Sequence, residues 1–545
     1  MTSAPYVVTR DPATGRELQR YQAHDEAGVE CALADASAAA ATWAATPLKE
    51  RRSLLRAVGA LLTERRAVYA ALITAEMGKP VTEALGEIDK CAWNCQVVAD
   101  LGAGWLADRE LASGASRSWL SYEPLGVVFA VMPWNFPFWQ VLRFACASLV
   151  AGNAALLKHS PDVTGSALAI EELFADAGAH RGLFRALVTA AADVPAVVRR
   201  VVEDPRVSAV TLTGSERAGA SIASIAGAAI KKSVLELGGS DPLVVLSDAD
   251  VETAAAAAVR SRFNNTGQSC VCAKRLIVHE DVAEEFLDRF VGGVAMLQVG
   301  DPTDPATTIG PMARADLRDA LLAQVKQTVG QGARLVAGGA AIDGPGYYVE
   351  PTVLDGVRPG MTAFVEETFG PLAAVIRARD DGHAVELAND TTFGLGASVW
   401  GEPEHALEVG RRIRSGALFL NATVASDPRL PFGGTGRSGY GRELSAEGVR
   451  EFTNVRTVVV ALGWTTRPQR VTGLARGIRI RDVPQTTSPI PSRRFHQGSC
   501  GSPIHAAQEP NADGGRTDRT LMLSARSSSA VRDARPAGSE VPPKI

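Results

Sequence analysis

Gly126-Val127-Val128-Phe129-Ala130-Val131-Met132 is an unbroken apolar run that stops at Pro133. A short run without alternation suits a strand covered on both faces, as in a parallel sheet. The pattern returns at Ala154-Ala155-Leu156-Leu157-Lys158, Phe184 to Val188, Ala209-Val210-Thr211-Leu212-Thr213 and Leu243-Val244-Val245-Leu246, with helix-like segments between. Alternating strands and helices predict a doubly wound α/β sheet, whose chemistry gathers beyond the carboxyl ends of its strands. A second α/β region is expected from a helix around Ala254 to Ala258 through to about Asn421.

Upstream, the alanine and leucine spacing predicts helices from Glu26 to Ala45, Lys49 to Met77 and Thr82 to Ala103. They follow short extended pieces joined by the turn Asp11-Pro12-Ala13-Thr14-Gly15. Gly114 to Tyr122 reads as a strand or arm leaving the main body. From Trp464 onward, prolines, serines and scattered arginines replace the hydrophobic periodicity, which predicts a disordered tail.

A chain of 545 residues, 46% hydrophobic and 21% charged, is expected to form two or three domains. Its net charge of -4 gives no electrostatic reason to bind nucleic acid or an anionic membrane, so small molecules are the expected partners. The start lacks the basic and apolar regions of a signal peptide, and the apolar runs are too short to cross a bilayer, so a cytoplasmic location is expected. Seven thinly spread cysteines argue for reduced thiols. Cys91 and Cys95, one helical turn apart with no histidine nearby, read as core packing, and no metal site is expected.

Asn264-Asn265-Thr266-Gly267-Gln268-Ser269-Cys270-Val271-Cys272 reads as an exposed loop carrying one reactive thiol. A thiol nucleophile needs a base, and neither this stretch nor Leu235-Glu236-Leu237-Gly238-Gly239-Ser240 contains a histidine. The Glu236 carboxylate fits that role. Gly434-Thr435-Gly436-Arg437-Ser438-Gly439 has the glycine spacing of a dinucleotide fingerprint, yet no strand precedes it and no acidic residue follows at the required distance. The better phosphate site is Thr213-Gly214-Ser215 ahead of a helix, where free backbone N–H groups attract anions.

The Cys270 stretch and Leu235-Glu236-Leu237-Gly238-Gly239, with Pro133-Trp134-Asn135-Phe136-Pro137 and Glu366-Glu367-Thr368-Phe369-Gly370-Pro371, resemble the aldehyde dehydrogenase superfamily over about residues 5 to 461. Ser240-Asp241-Pro242 and the run Asn135 to Arg143 are similar to its succinate-semialdehyde dehydrogenase group. The resemblance implies a Rossmann-type cofactor domain (1–113 and 125–237), an α/β catalytic domain (238–436) and oligomerisation segments (114–124 and 437–461), while the disordered tail expected at 462–545 has no counterpart in it. It also implies a homodimer or homotetramer.

The resemblance makes Cys270 the nucleophile, Glu236 the base that activates water, and the Asn135 side chain a donor to the developing oxyanion. It assigns cofactor contacts to Trp134, Lys158, Ser160, Thr213, Gly214, Ser215, Leu237, Glu367 and Phe369. Pro161 stands where NAD-preferring relatives often carry glutamate, so a 2′-phosphate meets no repulsion there, and the expected cofactor is NADP, with NAD as the alternative. Arg143 is the expected carboxylate anchor of a semialdehyde pocket walled by Trp139 and Phe432, with Ser426 a second donor. Asn264 replaces an arginine found there in some members, and Gly436 a common lysine. Cys272 is a candidate redox partner for Cys270. The expected reaction is oxidation of succinate semialdehyde to succinate. Another aliphatic aldehyde, a CoA-acylating reaction and a non-catalytic scaffold are the alternatives, and a water-activating Glu236 argues against the CoA-acylating one.

Overall fold

The computed structural model describes residues 6–461; the tail expected at 462–545 lies outside the described residues. Among the described residues no helix is long and apolar enough to cross a membrane, and no group of three or more His, Cys, Asp or Glu is placed to hold a metal ion.

Two sheets carry the site. The first has the order Gly439–Tyr440, Lys232–Glu236, Val207–Thr213, Val127–Met132, Ala154–His159, Phe184–Ala186. Every pairing in it is parallel except that of Gly439–Tyr440 with Leu235–Glu236. Helices bury its faces, so its central strands are apolar throughout: Val127 to Ala130 and Ala154 to Leu157 are at most 1% exposed. The second sheet runs Arg334–Ala337, Thr352–Asp355, Leu372–Ala378, Ala273–His279, Asp241–Val245, Gly396–Trp400, Ala417–Leu420. Only its first pairing is antiparallel.

The arrangement of strands and helices departs from the sequence reading. Asp241–Val245 lies in the second sheet, between Ala273–His279 and Gly396–Trp400, rather than in the series begun by Val127. The strand that does close the first series is Lys232–Glu236, whose polar amino-terminal half hides it from an apolar-run criterion while Val234, Leu235 and Glu236 are buried. The helix expected over Lys49 to Met77 is also two helices, Leu48–Glu64 and Arg66–Met77, interrupted at Arg65 where ψ is 17°.

A smaller sheet pairs Thr453–Val460 with Arg117–Pro124, and the latter with Arg109–Glu110. Thr453–Val460 is its edge and exposes Val455, Val459 and Val460 by about half. Cys91 and Cys95 are fully buried on the helix Val81–Trp105, and the Cys95 sulfur lies 3.5 Å from that of Cys146.

Candidate active site

The stretch 264–272 is buried rather than exposed. Apart from Asn264, every residue in it is fully or partly shielded. Side-chain amides do the work that solvent would do for a surface loop: Asn265 Nδ2 donates to the carbonyls of Asn135 (2.9 Å) and Gln268 (3.0 Å), and Gln268 Oε1 accepts from Ala313 N (2.9 Å). Asn265 and Thr266 adopt left-handed backbone, φ 53° and 55°, which carries the chain sharply round to Cys270.

Cys270 sits at the junction of two cavities, contributing to the lining of both. The larger, about 570 Å³, is lined by all of the expected cofactor contacts: Trp134, Lys158, Ser160, Thr213, Gly214, Ser215, Leu237, Glu367 and Phe369, together with Asn135. The smaller, about 310 Å³, is lined by Trp139, Arg143, Ser426 and Phe432. The four sequence motifs therefore meet around one thiol. Glu236 lines neither cavity. Its carboxyl packs toward the loop at Gly433, where a Cβ would stand 2.7 Å from Glu236 Oε1.

Burial pushes the Cys270 thiol up to about 12, with Lys274 and Arg143 acting against the shift. A thiol this basic is protonated at neutral pH, so its attack on a carbonyl needs a proton acceptor. Burial and the neighbouring Glu443 raise Glu236 well above the usual carboxylate range, opposed by Arg143 and Arg442. A base of this kind titrates nearer the pH at which it works.

Gly439–Tyr440, which starts at the last glycine of the apparent dinucleotide fingerprint, is an edge strand that brings Arg442 and Glu443 beside Glu236. Arg143 comes from the other side, on Trp139–Ala151, a helix buried at every position. A guanidinium there requires a partner, and it is ion-paired with the buried Glu443. Arg143 therefore borders the smaller cavity as the ion-pair partner of Glu443.

The larger cavity fits a dinucleotide. Lys158, at the end of its strand, has no ion-pair partner among the described residues, and burial lowers it to about 8. Ser215 caps the helix Glu216–Ala228, whose amino-terminal N–H groups border the cavity. Glu367 reaches the backbone because residue 238 is glycine, where a Cβ would lie 2.3 Å from Glu367 Oε2, and Gly239 N donates to Glu367 Oε1 at 3.0 Å. Phe369 meets Trp134 edge to face at 5.8 Å. The Ser160 hydroxyl donates to Asp162 (2.8 Å), so it is engaged within the chain. Arg217 and Arg314 also line this cavity. Sequence reasoning passed over them because nothing local separates them from ordinary surface arginines.

Lys274 was missed as well. Its Nζ donates to the carbonyls of Ser269 (2.9 Å) and Cys270 (2.8 Å) and lies 3.2 Å from Glu367 Oε1, with its side chain 1% exposed. A lysine four residues after the thiol, inside an apolar strand, was the available signal. Cys272 is buried and donates to the Asn264 carbonyl at 3.6 Å; Cys270 and Cys272 are both free thiols.

The aldehyde dehydrogenase family model matches residues 2–458. The chain belongs to the aldehyde dehydrogenase family. Among its relatives, a probable succinate-semialdehyde dehydrogenase [NADP(+)] of Synechocystis is 46% identical over 456 residues, 84% of this chain and 100% of the relative. A succinate semialdehyde dehydrogenase [NAD(P)+] of Escherichia coli is 46% identical over 459 residues, 84% and 98% of the two chains. A succinic semialdehyde dehydrogenase of Streptococcus pyogenes, solved with NADP+, superposes with a TM-score of 0.81 at 36% identity, covering 84% of this chain and all of that one. This aldehyde dehydrogenase is thus an enzyme that oxidises an aldehyde to a carboxylic acid with NAD(P), built on the family's α/β fold with Rossmann-like and catalytic domains.

Proposed function

We propose that the protein oxidises succinate semialdehyde to succinate, with NADP preferred over NAD. The observation that carries this reading is the position of Cys270 between the two cavities, one with the features of a dinucleotide site and the other closed by Trp139, Ser426 and Phe432. The relatives named for this substrate support it. In this reading the first sheet belongs to the cofactor domain and the second to the catalytic domain.

The Cys270 sulfur attacks the aldehyde carbon, forming the S–C bond as the thiol proton leaves to a base. Asn135 Nδ2 gives one N–H to the Gln268 carbonyl at 3.0 Å, and its oxygen accepts from Gln140 Nε2 at 3.0 Å. Its second N–H serves the new oxyanion, alongside the Cys270 backbone N–H. The residues Lys158, Ser215, Glu367 and Phe369 would hold NAD(P), which would supply the hydride acceptor needed to take the adduct to a thioester. Glu236 then turns from the Gly433 side and takes a proton from the water that releases the acid, leaving the thiol free.

The test is NAD(P)H formation over a panel of aldehydes with both cofactors. Succinate semialdehyde is expected to have the highest kcat/KM, and a higher value for an uncharged aldehyde of the same length would overturn the substrate assignment. The NADP preference rests on Pro161 and on the cations Lys158 and Arg217 in the cavity lining. Pro161→Glu is expected to lower the ratio of NADP to NAD use by about 10-fold or more, since the new carboxylate repels the 2′-phosphate. An unchanged ratio would place the adenosine ribose elsewhere.

Assembly as a homodimer or homotetramer through Arg117–Pro124 and Thr453–Val460 belongs to the same proposal. It is supported by the exposed valines on an edge strand, which solvent alone leaves uncovered. A cytoplasmic location is supported by Cys91, Cys95, Cys146, Cys270 and Cys272 standing as thiols.

A further inference from the structure

The smaller cavity has several charged side chains around it, and most are already matched. Arg143 is paired with Glu443. Glu87 is paired with Lys79 and also accepts from the backbone N–H groups of Phe138 and Trp139, both at 2.9 Å. Glu83 accepts from Asn264 Nδ2 (3.2 Å) and Asn265 N (2.8 Å), and burial raises it to about 7. Asp427, nearby, is held by Arg429. Lys90 has no ion-pair partner among the described residues.

Its placement is specific. Glu83, Gly86, Glu87 and Lys90 follow one another at helical spacing along Val81–Trp105 and turn a single face to the cavity. A Cβ added at Gly86 would meet nothing within 4 Å, so the helix leaves room beside Lys90. Lys90 Nζ donates to Ser426 Oγ at 2.7 Å and stands 4.5 Å from the centroid of the Trp139 ring. The ammonium has three donors, so two remain after Ser426.

We propose that Lys90, with Ser426, is the carboxylate-reading pair of the substrate cavity and restricts the enzyme to aldehydes with a carboxylate at the far end. This rests on the reading of that cavity as the aldehyde site. Arg143 then shapes the cavity and balances Glu443, and the ammonium of Lys90 supplies the charge that Asn264 does not. Burial, followed by the nearby Arg143, lowers Lys90 to about 8, against the opposing pull of Cys91, Asp427 and Glu87. A bound carboxylate favours the charged form, so recognition is full below that pH and fades above it. Glu83, on the same helix face and raised to about 7 by burial, adds a negative charge to the cavity wall as it loses its proton.

The experiment compares succinate semialdehyde with butyraldehyde in wild type, Lys90→Met and Lys90→Arg, from pH 6.5 to 9.5. Lys90→Met is expected to raise KM for succinate semialdehyde by about 10- to 100-fold, the usual range for a lost charge-assisted contact. Its KM for butyraldehyde should change far less, and circular dichroism with stoichiometric alkylation of Cys270 shows that the variant is folded and the thiol competent. Lys90→Arg should restore most of the affinity for the semialdehyde and abolish the rise in KM expected of wild type above about pH 8. Equal effects of Lys90→Met on both aldehydes, or none on either, would overturn the proposal while leaving the dehydrogenase intact. A wild type that does not prefer succinate semialdehyde would instead overturn the substrate assignment itself.

Discussion

Cys270→Ala is expected to lose dehydrogenase activity by on the order of 10⁴-fold or more, because without the sulfur neither the tetrahedral adduct nor the thioester forms. Glu236→Gln should behave differently. Acylation survives, so a burst of NAD(P)H close to one equivalent per active site precedes a slow steady state limited by hydrolysis. The raised Glu236 adds a pH signature: wild-type hydrolysis needs the ionised carboxylate, so the steady-state rate should climb toward alkaline pH as that group loses its proton. The climb should be absent in Glu236→Gln. Rapid mixing followed by absorbance at 340 nm reads both effects, and a Glu236→Gln steady state equal to wild type would remove Glu236 from the reaction.

The second large effect concerns the buried pair of Arg143 and Glu443, whose side chains are 3% and 1% exposed. Removing one partner of such a pair leaves a charge stranded, at a cost typically of about 3–5 kcal/mol. Arg143→Ala and Glu443→Ala should each lower the thermal midpoint substantially, while Arg143→Met combined with Glu443→Leu should recover much of the loss. Their effects on catalysis should diverge. Without Arg143, two carboxyls share one buried space and Glu236 rises further, moving the alkaline climb to higher pH for both charged and uncharged aldehydes. Without Glu443, the remaining guanidinium lowers Glu236 and the climb moves to lower pH. Identical pH profiles in the two single variants would show that the pair does not set the base.

The strands Val127–Met132, Ala154–His159 and Val207–Thr213 were legible because both faces are covered and the sequence must stay apolar. Lys232–Glu236 was not, since its first residues reach solvent and only its end is buried. The thiol stretch looked like a surface loop because it is rich in Asn, Thr, Gly, Gln and Ser. Those same amides and hydroxyls satisfy a buried backbone when they find partners such as Asn135 and Ala313, far along the chain. Arg143 illustrates the deepest limit. A sequence shows that a cation is present, whereas its availability depends on Glu443, which arrives on another element 300 residues later. Lys90 was invisible for the same reason in reverse: its importance lies in the carboxylates that do not reach it.

Lys274 carries a consequence of its own. One ammonium joins the Cys270 carbonyl to the Glu367 carboxylate, which borders the larger cavity. Any dinucleotide that draws on Glu367 changes how much of that positive charge is left to favour the Cys270 thiolate. By thermodynamic reciprocity, the factor by which the dinucleotide alters ionisation of the thiol is the factor by which ionisation alters affinity for the dinucleotide. The two halves of the reaction are therefore in communication before any aldehyde arrives, and the alkylation rate of Cys270 becomes a gauge of cofactor occupancy.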